Sequence, residues 1–209
     1  MKVVDLTLEI SPSLKVFPGS PQPCFVQWTN FLMHGYDSEA IFMSTHTGTH
    51  MDAPSHFVQG KSSIERIPAN RFIADAVLVR IPKKANELVE ARDFKETDIR
   101  ENDAVVISTG WEKKIRSRSY MTENPGLSAG AARFLASRKV SMVGIDGPSI
   151  DAGSDARFTA HRVLLAKNVL AVENLCNLRA INRDRFMLVV APLKLRGATG
   201  SSVRALAIL

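Results

Sequence analysis

The segment Thr45–Phe57 reads THTGTHMDAPSHF and sets His46, His50, Asp52 and His56 inside eleven residues, 46 to 56. Only five histidines occur in the 209-residue chain, and three of them are here. Imidazole nitrogens and carboxylate oxygens are the donors that Zn²⁺ and its first-row neighbours take from proteins. A metal held by such a set acidifies bound water and polarises a carbonyl, so the chemistry within reach is hydrolysis.

No regular element brings all four residues to one point. On an α-helix, at ~100° per residue, His46 and His50 share a face while Asp52 and His56 fall on roughly the opposite one. On a strand all four share a face, but at ~3.3 Å per residue the ends lie about 33 Å apart. The segment must therefore fold back. Gly48 can take backbone angles closed to other residues and permits a sharp turn. Pro54 fixes its own φ and discourages a helix running through from Asp52. The expected form is a strand ending near Thr45, a coiled loop, and a helical turn near His56.

Two later residues extend the set. His161 has Leu164 and Leu165 at i+3 and i+4, so it shares a face with apolar side chains. On that pattern alone a satisfied core histidine explains it. Glu173 ends the apolar run Val169–Val172, where an unpaired carboxylate is costly to bury, which points to a metal or another cation as its partner.

The string His46-Thr-Gly-Thr-His50-Met-Asp52-Ala-Pro-Ser-His56 resembles, at every position, the HxGTHxDxPxH signature of the cyclase-like metal hydrolase family. Bacterial kynurenine formamidases and isatin hydrolases belong to that family. The resemblance reaches from Phe17-Pro18-Gly19, through Thr109-Gly110-Trp111 and the Asp146–Asp151 turn, to the closing strands. It implies that the later ligands are a histidine in a short helix and a glutamate in a Glu-Asn-Leu step, here His161 and Glu173. It allows one metal with an open position, or two ions sharing a carboxylate. In the second arrangement His46, His50 and Asp52 hold one ion, and His56, His161 and Glu173 the other. His56 is then either a ligand or the carrier of the proton to the leaving amine, since imidazole titrates near neutrality. The donor set suits Zn²⁺, Mn²⁺ or Fe²⁺ better than Ca²⁺ or Mg²⁺ and does not choose among the three.

The activity the resemblance implies is amide hydrolysis, most simply by an arylformamidase acting on N-formylkynurenine. Cyclic-amide hydrolysis of the isatin type and a metal-binding module without turnover are the alternatives. Phe17 is a candidate substrate contact, and Trp111 is either an aromatic wall for the substrate or a core residue closing a turn. A homodimer or higher homo-oligomer is expected from the family.

The remaining elements follow from periodicity. Val4–Ile10 alternates as a half-buried strand. Cys24–Met33 and Ala40–Thr45 read as strands, the second delivering His46. Ala74–Ile81, Ala104–Ser108, Val140–Ile145, Phe186–Pro192 and Val203–Leu209 are further strands. Helices are expected over Asp93–Ile99 with Asp93 as cap, over Ala129–Arg138 with Ser128 as cap, and over Ala156–Ala166. Many strands and few helices predict one α/β domain over residues 1–209, with a mixed β-sheet core. The resemblance makes it of the swivelling β/β/α kind.

Composition narrows the rest. No apolar run approaches the ~20 residues that span a membrane, and the N-terminus has no signal-peptide pattern, so a cytoplasmic location is expected. Cys24 and Cys176 lie in no metal-binding or redox spacing and are read as small core residues. The net charge is +6, yet there is no nucleic-acid motif or aromatic-interleaved basic stripe. The basic clusters at Lys83-Lys84 and Lys113–Arg118 are read as solvated faces, and a small-molecule amide remains the expected partner.

Overall fold

The computed structural model describes residues 1–209. In chain order the strands are β1 (Val3–Asp5), β2 (Cys24–Thr29), β3 (Ser38–Phe42), β4 (His50–Asp52), β5 (Ile73–Arg80), β6 (Leu88–Val89), β7 (Ala104–Ser108), β8 (Gly126–Leu127), β9 (Met142–Ile145), β10 (Leu170–Glu173), β11 (Arg185–Pro192) and β12 (Gly200–Ile208). Three α-helices accompany them: α1 (Phe31–His34), α2 (Ala129–Ser137) and α3 (Thr159–Ala166).

Eight strands form one sheet in the order β1-β12-β11-β5-β7-β9-β10-β4. Strands β5, β7, β9 and β10 run parallel, and the other pairings are antiparallel, so the sheet is mixed as expected. The three-residue strand β4 pairs on one side with β10 and on the other with β12, where Gly200 meets Asp52 and Ser202 meets His50. That second pairing closes the sheet into a barrel.

The parallel strands are apolar on both faces because both are covered. Ala76, Leu78, Ala104, Val106, Met142 and Val172 join Met51 in the core inside the barrel. The intervening Val77, Val79, Val105, Ile107, Val143 and Ile145 form a second core under α2 and α3. This alternation decides where the chemistry goes. Met51 fills the barrel, so its neighbours His50 and Asp52 face outward towards α3. Val172 also points inward, so Glu173 joins them on the outer face, directly opposite His50 in register.

Several expected elements differ in extent, each for a local reason. The strand expected over Cys24–Met33 stops at Thr29. Asn30 caps α1 by accepting from the Met33 amide at 3.0 Å, and Gly35 ends that helix at φ 76°. Alternation over Val4–Ile10 is present, but only Val3–Asp5 form a ladder; the Leu8 amide donates to the Thr49 hydroxyl instead, at 2.8 Å. The helix expected from Asp93 is a single 3-10 turn, Ala91–Phe94, capped by Glu90; the Asp93 carboxylate accepts from the Glu90 amide and pairs with Lys83 Nζ at 2.8 Å. Helix α3 begins at Thr159 because the Asp155 carboxylate takes the Arg157 and Thr159 amides and Phe158 adopts φ 52°. Ser128 caps α2 as expected. Both cysteines are free, but Cys24 is exposed on β2 and Cys176 only half-buried, so neither is a core residue.

Strands β2 and β3 pair only with each other, as a ribbon apart from the main sheet with α1 at its tip. Its apolar side chains, including Trp28, Leu32 and Met33, are exposed, as is His34.

Candidate metal centre

The turn required between His46 and β4 is made at Gly48, at φ 65°; a Cβ there would lie 3.2 Å from Ile10. His46 comes from the loop before β4, His50 and Asp52 from β4, His161 from α3 and Glu173 from the end of β10. Of these, His50, Asp52, His161 and Glu173 are at most 4% exposed. His46 lies over the start of β12, where Gly200 leaves room: a Cβ at 200 would stand 2.5 Å from the His46 ring.

Two triads of donor atoms result, His46–His50–Asp52 and Asp52–His161–Glu173, each with its atoms within 4.8 Å of one another. Asp52 belongs to both. Its Oδ1 lies 2.7 Å from His46 Nδ1 and 3.5 Å from His50 Nε2, and its Oδ2 lies 3.0 Å from His161 Nε2. Glu173 places Oε1 3.0 Å from His161 Nε2 and Oε2 3.3 Å from His50 Nε2.

The outer ring nitrogens are already committed. His50 Nδ1 donates to the Gly48 carbonyl at 2.9 Å, and His161 Nδ1 to Asp151 at 2.5 Å. Each neutral ring therefore turns an Nε2 lone pair towards carboxylate lone pairs, which repel unless a positive charge stands between them. The electrostatics of the cluster make the same demand. Burial opposes charge on His50, but the Glu173 hydrogen bond and the charges of Asp52 and Glu173 outweigh it and raise the imidazole to about 9. Burial opposes charge on His161 too, yet the Glu173 charge and the bonds to Asp151 and Asp52 hold it well above the ordinary range. Glu173 goes the other way: burial would raise it, and the His161 charge brings it down to about 2. Two carboxylates and two oriented imidazoles closing on a buried point fit a divalent cation, with outer-ring hydrogen bonds of the kind that orient metal ligands.

A sign follows. With His50 at about 9 when no metal is bound, it carries a proton at pH 7, as does His161, and a metal must displace these protons. Loading at pH 7 is therefore expected to release roughly one to two protons, and affinity to rise as pH increases towards 9. Calorimetry in buffers of different ionisation enthalpy measures the release; zero protons would contradict this account.

Further residues hold the donors in place. Asp151 fixes His161, and also accepts the Ala160 amide at 2.5 Å. The Thr199 hydroxyl meets His46 Nε2 at 2.9 Å. Tyr120 donates to Asn174 at 2.9 Å, and Asn174 donates to the Gly48 carbonyl that also holds His50. Asp151→Asn keeps the size of this prop but removes its charge. It is expected to lower metal affinity by about 10–100-fold, read by competition with a chromophoric chelator.

His56 stands apart from both triads. It sits at the end of the 3-10 turn Pro54–His56, stacked on His46 with ring centroids 4.0 Å apart. Burial depresses it to about 4, so it is a neutral imidazole at pH 7 rather than one balanced near neutrality. The groups open into a cavity of about 220 Å³ lined by 17 residues, among them His56, Phe17, Phe57 and Phe158. Phe57 and Phe158 lie 5.2 Å apart and Phe17 and Phe158 6.2 Å apart, centroid to centroid, which makes an aromatic wall. Trp111 is not part of it. That residue is 5% exposed, its indole donates to the Tyr120 carbonyl at 3.0 Å, and its turn is tied down by Asp146, which accepts from the Thr109 and Gly110 amides.

The family model described as "Putative cyclase" matches residues 4–152. The chain belongs to the cyclase family. A kynurenine formamidase from Salinibacter ruber is 28% identical over 210 residues, covering 98% of this chain and 96% of its own length. Isatin hydrolase A from Labrenzia aggregata superposes with a TM-score of 0.90 at 28% identity, covering 99% of this chain and 93% of that one. A predicted metal-dependent hydrolase from Bacillus stearothermophilus is 31% identical with a TM-score of 0.82, covering 99% and 97%. Family, fold and donor set together make this cyclase-family chain a hydrolase that depends on a metal.

Proposed function

We propose that the protein hydrolyses the amide bond of a small aromatic substrate, most simply as an arylformamidase on N-formylkynurenine, with Zn²⁺ as its metal and Mn²⁺ as an alternative. The observation that carries this reading is the convergence of His50, His161, Asp52 and Glu173 at the base of a cavity walled by Phe17, Phe57 and Phe158.

His46, His50 and Asp52 would hold one ion, and Asp52, His161 and Glu173 a second, with Asp52 shared. A metal there acidifies water and polarises the scissile carbonyl. The protein's own groups supply the rest. Phe57, packed on His161 at 4.7 Å between centroids, and Phe158 orient an aryl ring and exclude water. His56, neutral and lining the cavity, takes a proton from the attacking water and returns it to the departing amine nitrogen, which leaves as a neutral amine. Asp151, Asn174 and Thr199 keep the inner rings aimed.

The test is hydrolysis of N-formylkynurenine by purified protein before and after chelation, with metal restored. Turnover that vanishes with the chelator and returns with Zn²⁺ supports the reading. Full turnover without metal, or none in the loaded protein, would overturn it. The TM-score of 0.90 to an isatin hydrolase favours cyclic amides as the second substrate class, so isatin belongs in the same assay. A metal-binding module without turnover would leave both substrates intact.

The quaternary state is part of the same reading. Nine of the seventeen exposed large hydrophobics lie on the β2–α1–β3 ribbon, between Phe25 and Phe42. An isolated two-stranded ribbon is marginal in water, and this one offers its apolar surface to a second copy. A homodimer is expected in sedimentation equilibrium, dissociated by Trp28→Glu with Leu32→Glu. The free thiols of Cys24 and Cys176 suit a reducing, cytoplasmic setting.

A further inference from the structure

The cavity has one feature the hydrolytic machinery does not use. Of its 17 lining residues, Lys15 alone is a lysine or arginine. The only acid on the walls is Glu173, already engaged by His50 and His161. Lys15 is half-buried and has no carboxylate partner, whereas Lys83, also partly buried, pairs with both Glu87 and Asp93.

The loop that presents Lys15 is built rather than slack. The Gln22 side-chain amide donates to the Pro12 carbonyl at 2.8 Å and to the Leu14 carbonyl at 2.5 Å, bracketing the turn. The Leu14 amide returns to the Ser11 carbonyl at 3.0 Å, and Leu14 packs against the site loop at Gly48. Two residues on, Phe17 contributes to the aromatic wall. A lysine lining an aryl slot, with no carboxylate paired to it, is complementary to an anion on the ring's substituents.

We propose that Lys15 binds a carboxylate of the substrate, so that the enzyme selects small aromatic amides carrying an anionic group. This rests on the amide-hydrolase reading above and names its substrate class. The bound molecule lies with its amide at the donor cluster, its ring among Phe17, Phe57 and Phe158, and its carboxylate at Lys15.

Two probes isolate the charge: 2-formamidobenzoate and formanilide carry the same formamide, with and without a carboxylate. Their affinities are measured by calorimetry on zinc-loaded protein, and their hydrolysis is followed separately. Wild-type protein is expected to bind the anionic probe more tightly by about tenfold or more, the scale of a charge-assisted hydrogen bond. Lys15→Arg keeps that preference. Lys15→Met loses it, bringing the two affinities to within about threefold. Because the metal is the same in all three proteins, carboxylate binding to the metal cannot produce the difference. An equal preference in Lys15→Met, or none in the wild type, overturns the proposal. If the affinity pattern holds and neither probe is cleaved, the formamide-hydrolase reading falls while the role of Lys15 stands. If both are cleaved without an affinity difference, the reverse is true.

Discussion

Replacing Asp52 with Asn is expected to remove metal and activity together. The substitution keeps the shape of the side chain but withdraws the one carboxylate common to both donor triads. Oδ1 now faces His46 and His50, and Oδ2 faces His161. An amide presents an N–H₂ group to one of these sides, and a donor cannot bind a cation. The surviving charge of Glu173 cannot serve both triads. Changing a supporting residue around a metal typically costs about 10–100-fold, so loss of a shared ligand should exceed ~10³-fold in kcat/KM. Metal content by elemental analysis should fall in parallel. A variant that kept its metal stoichiometry and lost only turnover would show that Asp52 acts on the substrate instead.

His56→Ala should separate the two quantities. His56 belongs to neither triad, and burial leaves its ring neutral at pH 7. Its removal is expected to leave metal content unchanged and to lower kcat by about 10²–10⁴-fold, the usual worth of a positioned proton carrier. Added imidazole should restore part of the rate in His56→Gly, because the vacated volume opens to the cavity. If the alanine variant instead emerges metal-poor, His56 is a ligand and the proton is carried elsewhere. The contrast between Asp52→Asn and His56→Ala is therefore more informative than either alone.

How much of this was legible beforehand depends on the range of the interaction. The motif was readable because histidine is rare in the chain and because Gly48 and Pro54 dictate a local turn, which the structure makes. The parallel strands were readable because both their faces are covered, leaving continuous apolar runs such as Ala104–Ile107. Barrel closure was not, because it rests on three residues of β4 meeting Gly200–Ser202, some 150 positions later in the chain. No periodicity can be seen in three residues. The same limit hid Thr199, whose contact with His46 spans 153 positions. Asp151 was visible as an acid after a strand, but its partner could be known only once α3 was placed above it. Trp111 illustrates the opposite case. Its sequence left it either an aromatic wall for the substrate or a core residue closing a turn, and the buried carboxylate of Asp146, which ties down that turn, goes with the second.

The shortness of β4 has a consequence for the life of the molecule. Two of its three residues face the donor cluster, and the third, Met51, fills the barrel. So short a strand has few ladder bonds of its own. An ion held by these donors would cross-link β4 to β10 through Glu173 and to α3 through His161. It would thus act as a latch on the strand that closes the wall, coupling loading to sealing. A chain without its metal would then be both inactive and the form most easily unzipped along β4 and β12, exposing the barrel interior to proteases. Turnover in the cell would then discriminate against empty copies without any dedicated sensor.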